Sequence, residues 1–190
     1  MSPDVGRFEL LETRLAGLQV LRRKPIGDAR GFFERVFCVD DLGGLLGGRT
    51  IQQVNRTLTE TKGTVRGLHF QRPPHAEMKL VSCLRGRIFD VAVDLRKDSP
   101  TFLQWHGEIL SAENARTLAI PEGFAHGFQT LEPDCELLYF HTASYHPEAE
   151  DGVDALDPRL EIEWPEPIAE RSERDQKLAT IDESFAGLEC

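Results

Sequence analysis

Residues 63–94, GTVRGLHFQRPPHAEMKLVSCLRGRIFDVAVD, decide how this chain is read. Apolar side chains alternate through Leu80-Val81-Ser82-Cys83-Leu84 and again through Arg87-Ile88-Phe89-Asp90-Val91-Ala92-Val93. That period predicts two β-strands, joined at Arg85-Gly86. The residues ahead of them, Arg66, His69, His75, Glu77 and Lys79, combine a base, cations and an acid among strand-like runs. Such a mixture is what a proton-transfer site is built from.

Outward from this stretch the strand signal continues. Upstream, Phe8–Lys24 reads as two short strands around a turn at Ala16-Gly17, and Gly27-Asp28 as a turn before the aromatic alternation of Gly31–Phe37. Asp40–Leu46 fits one short helix closed by Gly47-Gly48. Ile51–Thr59 is a strand with Gln53, Asn55 and Thr57 on one side. Downstream, Phe102–Leu110, Thr117–Ile120 and Cys135–Thr142 are further strands, Tyr145–Pro165 a loop-rich surface segment, and Glu170–Phe185 has some helical character. Short strands recurring at about 8–12 residues favour an all-β sandwich or barrel.

Composition bounds the function. The 190 residues suit a single domain, 1–190, with one well-buried core, and 40% apolar with 28% charged residues is ordinary for a globular protein. A net charge of −10 argues against nucleic acid as a partner, which needs a basic surface. No apolar run approaches a membrane span, and no charged segment leads into an apolar leader, so no membrane partner and a cytoplasmic location are expected. Cys38, Cys83, Cys135 and Cys190 show no paired spacing that suggests a disulfide framework, and Cys83 and Cys135, inside apolar runs, read as buried free thiols. Neither a Rossmann nor a P-loop glycine pattern occurs, so a bound nucleotide would be held by other means.

His69 alternates with apolar neighbours, so it is either a satisfied half-buried histidine or a base. The nearby Arg66 and Lys79 favour a site, because buried cations need an anionic partner or ligand. Tyr139 is either core filling or an acid presented at a barrel mouth. His126 lies in Pro121-Glu122-Gly123-Phe124-Ala125-His126, which resembles the second motif of cupin barrels, where the histidine often binds metal. The H-x-H pair of the first cupin motif is broken here as His69-Phe70-Gln71. A metal set of His69, His75, Glu77 and His126 stands as the rival reading, and would make the protein a metal-dependent oxygenase.

The blocks DARGFF (28–33), VRGLHFQRPP (65–74), KLVSCLRGRIFDVAVDLRKDSPTF (79–102), LSAEN (110–114), IPEGFAHGFQTL (120–131) and LLYFHTASYHPEAE (137–150) come in an order that resembles the dTDP-4-dehydrorhamnose 3,5-epimerase family. DPRLEIEWP (157–165) and SERDQK (172–177) extend the likeness, which spans about residues 15–185. The resemblance implies a cupin jelly-roll barrel with a few short helices, mainly near the C-terminus, working as a homodimer without metal or other cofactor. It implies a nucleotide-sugar substrate whose C3, C5 or both are inverted beside a C4 ketone. It implies His69 as base, Asp175 as the carboxylate behind it, Tyr139 as acid and Lys79 beside the ketone oxygen. Arg30, Arg66, His126, Gln53, Asn55, Tyr145, Glu150 and Arg35 are implied as substrate contacts. Three departures accompany it: Arg35 where a Glu is expected, a 55–66 segment one residue longer carrying Arg56-Thr57, and Glu77-Met78 in place of Gln-Gly. A binding protein without turnover is the third reading, which retention of both His69 and Tyr139 disfavours.

Overall fold

The computed structural model describes residues 4–190. Its strands are β1 (Asp4–Val5), β2 (Phe8–Glu12), β3 (Gln19–Arg23), β4 (Ile26–Asp28), β5 (Gly31–Phe33), β6 (Gln53–Thr59) and β7 (Val65–Gln71), with one α-helix, α1 (Val39–Leu46), before β6. They continue as β8 (Lys79–Arg85), β9 (Arg87–Asp94), β10 (Trp105–Ser111), β11 (Arg116–Ile120), β12 (Phe124–Thr130), β13 (Cys135–His141) and β14 (Glu150–Gly152). A seven-stranded sheet runs β1-β2-β3-β11-β8-β13-β6 and a five-stranded sheet β10-β9-β12-β7-β14, while β4 and β5 form a separate hairpin. All named pairings are antiparallel, and the two main sheets form a jelly roll.

The turn at Arg85-Gly86 does more than join two strands, because β8 and β9 belong to different sheets. Gly86 has φ +75°, and a Cβ there would stand 2.7 Å from Cys135 Sγ, so only glycine makes this crossing without strain. Val81 and Cys83 of β8 then face Ile88 and Ala92 of β9 across the main core, with Leu118, Ile120, Phe124, Phe128 and Leu137.

Both sheets are also covered on their outer faces, which explains why β8 and β9 carry near-continuous apolar runs. Phe8, Leu21, Leu80 and Ala119 of the larger sheet pack under Leu42 of α1, with Phe37 and Phe140 alongside. The outer face of the smaller sheet, Val65, Phe70, Val91, Val93 and Ala125, is capped by Val153, Ala155, Leu160, Ile181 and Leu188 of the C-terminal tail. The tail is therefore a packed cover rather than the surface segment expected for 145–165. The helical character expected within 170–185 amounts to one 3-10 turn, Asp175–Lys177, so the only α-helix among the described residues lies well upstream. The tail's prolines and irregularly spaced apolar anchors suit an extended strap better than a helical stripe.

A candidate active site across the barrel mouth

His69 and Arg66 are three positions apart and would face opposite ways in a regular strand. Here both line one cavity of about 700 Å³. The cause is a β-bulge: β12 pairs His126 with His69 but Phe128 with Arg66, so Gly67 and Leu68 together face Gly127. Gly67 has φ +120°, and a Cβ on it would lie 2.6 Å from Gly127 Cα. The two glycines let the strands close over the extra residue and turn the guanidinium and the imidazole to the same side.

Asp175 meets His69 from the tail, its Oδ1 3.0 Å from His69 Nε2. Gly67 N–H donates to Asp175 Oδ2 at 3.1 Å and Ser172 Oγ accepts from the Asp175 N–H at 3.0 Å. Burial alone would raise this carboxyl; the bonds from His69 and Gly67 prevail and hold it down, to about 2. Arg174 adds a second layer. Its Nη1 donates to Glu150 Oε2 at 3.0 Å, and its Nη2 lies 3.1 Å from His69 Nδ1 and 3.3 Å from Nε2. Tyr145 OH donates to the same Glu150 oxygen at 2.7 Å.

The opposing sheet supplies the other wall. Tyr139 of β13 and Lys79 of β8 enter from the seven-stranded sheet, whereas His69 and His126 come from the five-stranded one. Along β13, Leu137, Tyr139 and His141 share a side, the first in the core and the others at the mouth. Burial pushes the Tyr139 phenol well above its ordinary range, with the Thr57 hydroxyl and the Arg66 charge pulling weakly the other way. The phenol is thus protonated at neutral pH. Lys79 Nζ lies 3.2 Å from Glu77 Oε1, and Glu77 Oε2 is 2.9 Å from His141 Nδ1. His126 bonds Asp90 at 2.7 Å beneath the cavity and meets the Tyr139 ring edge-on, with centroids 6.1 Å apart. Asp90 is fully buried, burial raises its carboxyl, and its Oδ2 has no partner.

Of the expected site residues, His69, Asp175, Lys79, Tyr139, Arg66, His126, Asn55 and Glu150 line this cavity. Gln53 and Tyr145 line an adjoining pocket that shares His69, Lys79 and Glu150 with it, and Tyr145 N–H donates to Gln53 Oε1 at 3.1 Å. Arg30 and Arg35 lie elsewhere. Arg30 caps the β4–β5 hairpin, 90% exposed and paired with Asp28, and Arg35 pairs with Asp41 beside α1. The metal reading loses its geometry: His75 stacks on His146 at 3.7 Å, Glu77 is taken by Lys79 and His141, and His126 by Asp90. Among the described residues no three His, Cys, Asp or Glu converge as metal ligands. Sequence reasoning missed Arg174, His141 and Asp90. Asp90 had a visible signal, a carboxylate inside an apolar run, whereas nothing in the sequence around Arg174 or His141 marks them.

Two covered antiparallel sheets with polar side chains meeting at one open end define a cupin-type jelly-roll protein. The sequence profile of the dTDP-4-dehydrorhamnose 3,5-epimerase family matches residues 12–183. The dTDP-4-dehydrorhamnose 3,5-epimerase of Salmonella typhimurium is 44% identical over 178 residues, 93% of this chain and 97% of that protein. The Streptomyces niveus dTDP-4-dehydrorhamnose 3-epimerase is 37% identical over 176 residues, covering 92% and 84%. The crystal structure of the Legionella pneumophila dTDP-6-deoxy-D-glucose-3,5-epimerase in complex with dTDP-4-keto-L-rhamnose superposes with a TM-score of 0.88 at 40% identity, covering 96% of this chain and 99% of that one. This chain belongs to the dTDP-4-dehydrorhamnose 3,5-epimerase family and is an isomerase. Among the described residues no helix is long and apolar enough to cross a membrane.

Proposed function

We propose that this enzyme epimerises a dTDP-linked 4-keto-6-deoxy sugar at C3, C5 or both, by proton transfer through an enolate and without a metal or other cofactor. The observation that carries the reading is the placement of His69, backed by Asp175 at 3.0 Å, on one sheet and of Tyr139 and Lys79 on the other, around one cavity. Inversion needs a proton taken from one face of the ring and one returned to the other. Opposing sheets offer that division.

His69 removes the proton beside the ketone, and Asp175 steadies the imidazolium that forms. The Lys79 ammonium stabilises the developing oxyanion, a term worth about 10²–10³ in rate at comparable sites. Tyr139, held protonated by burial, returns a proton from the far side. Arg66, which carries no ion pair among the described residues, suits the substrate's diphosphate, with His126, Asn55, Gln53, Tyr145 and Glu150 as further contacts. Free buried Cys83 and Cys135 fit a reducing, cytoplasmic setting.

Arg30 lies outside the cavity of its own chain, so a contact with substrate would require a second copy of the chain, and we infer a homodimer. Its hairpin exposes Phe32 and Phe33 at 75% and 62%, and the edge strand β6 exposes Val54 and Leu58. An unpaired edge with apolar side chains is suited to pairing with another chain.

The test is solvent deuterium incorporation from D₂O into dTDP-4-keto-6-deoxyglucose, read by position. Label at C3, C5 or both, lost by roughly 10²–10⁴-fold in His69→Ala, is expected. Exchange that survives in folded His69→Ala would overturn the assignment of the base.

A further inference from the structure

The guanidinium of Arg174 rests on the base. Its Nη2 lies within 3.3 Å of both ring nitrogens of His69, closer to the ring than Glu150, whose Oε1 is 3.9 Å from Nδ1. A base that takes a proton from carbon becomes a cation, and a second cation against both of its nitrogens opposes that change. Arg174 and His69 both line the cavity. Arg174 is held there by Glu150, which Tyr145 OH braces from the other side, and by Asp175 Oδ1, 3.7 Å from its Nε. Its side chain is 59% exposed, and the partners that hold it, Glu150, Asp175 and His69, are all polar. The cation is tied by charge alone and is free to follow a stronger anion.

We propose that Arg174 is a substrate-operated latch: in the free enzyme it lies on His69, and the substrate's diphosphate draws it off and frees the base. The inference rests on His69 being the base of the proposed reaction. Arg174 is a positioning residue here, acting on His69 through its own displacement. A dianionic diphosphate offers more charge than the single Glu150 carboxylate, and bidentate guanidinium–phosphate bonds are among the stronger polar contacts. Binding energy at the nucleotide end is thereby spent on readying the sugar end, and a 4-keto sugar without a diphosphate meets a capped base. The other charged groups lining the same cavity are Arg66, Lys79, Glu170 and Arg171.

The latch predicts activation by parts. With free 4-keto-6-deoxyglucose in D₂O, wild-type enzyme should exchange slowly: the C–H proton passes to His69 and a solvent-derived deuteron returns to the same carbon. Inorganic pyrophosphate added to that reaction should raise the enzymic rate by roughly tenfold, the ratio expected if latched molecules outnumber open ones by about ten to one. Arg174→Ala should exchange the free sugar at the raised rate without pyrophosphate, show no further stimulation, and lose kcat/KM on the dTDP-linked sugar. A role in binding alone would lower kcat/KM on the dTDP-linked sugar and leave the free sugar unchanged. Unchanged or slower free-sugar exchange in Arg174→Ala, or equal stimulation of both proteins by pyrophosphate, overturns the latch. His69→Ala in the same assay separates the two claims: exchange that persists there refutes the base and the latch with it, whereas exchange lost there but not raised in Arg174→Ala refutes the latch alone.

Discussion

Gly67 and Gly127 approach so closely that a Cβ on Gly67 would sit 2.6 Å from the Gly127 Cα. This contact is the bulge that turns Arg66 and His69 to one side, so the placement of His69, the proposed base, depends on two residues with no side chains. Gly67→Ala should cost about 1–3 kcal/mol of stability, from its φ of +120° and the clash together, and should lower kcat as His69 turns away. Gly43→Ala, on the open face of α1 with nothing within 4 Å, should instead gain up to about 1 kcal/mol. Urea unfolding of both variants against wild type checks the pair of signs.

How far the sequence could be read follows from such details. The strands of the central stretch were legible because alternation and turn residues are local signals, and so was the helix before Gly47-Gly48. The covers over the two sheets were not, since Val153, Leu160 and Ile181 are scattered in a segment without period and only their contacts reveal them as core. The site was half legible. His69, Lys79 and Tyr139 stand out within strands, whereas the bulge that brings Arg66 beside His69 is a pairing between distant strands and leaves no trace in one of them. Arg174 could be found only by knowing where the tail lands, and Arg30 and Arg35 fall outside the cavity because they pair with Asp28 on the β4–β5 hairpin and with Asp41 of α1.

The carboxylate proposed to back His69 also bears on acid stability. Its carboxyl titrates at about 2 in the folded chain, below the roughly 3.9 of an unfolded aspartate. A depressed value contributes stability that is present above the unfolded value and disappears as pH falls through the folded one. Asp175→Asn should therefore be less stable than wild type by on the order of 2 kcal/mol at pH 6, with the gap closing between about pH 4 and pH 2. The same variant should slow exchange less than His69→Ala does. Denaturant melts across that pH range check the first statement, and exchange kinetics the second.

In the proposed homodimer, the exposed hairpin would tie assembly to activity. Phe33→Ser removes apolar surface that is 62% exposed, so the chain should fold with unchanged circular dichroism. Light scattering should show a shift from dimer to monomer, and activity should fall with it because Arg30 no longer reaches a neighbouring cavity. A monomeric wild type of full activity would remove Arg30 from the site.

The central claim, that protons leave and return on opposite faces, is tested most directly by Tyr139→Phe. The substitution keeps the ring and its edge contact with His126, so the fold should lose little. Exchange and inversion are then followed together by NMR in D₂O with dTDP-4-keto-6-deoxyglucose. His69 still takes a proton and returns a deuteron to the same face, so label should continue to enter. Net epimerisation should fall by about a hundredfold or more, as for a lost general acid. A Phe variant that loses exchange and inversion in equal proportion, or loses neither, would contradict a two-sided transfer between His69 and Tyr139.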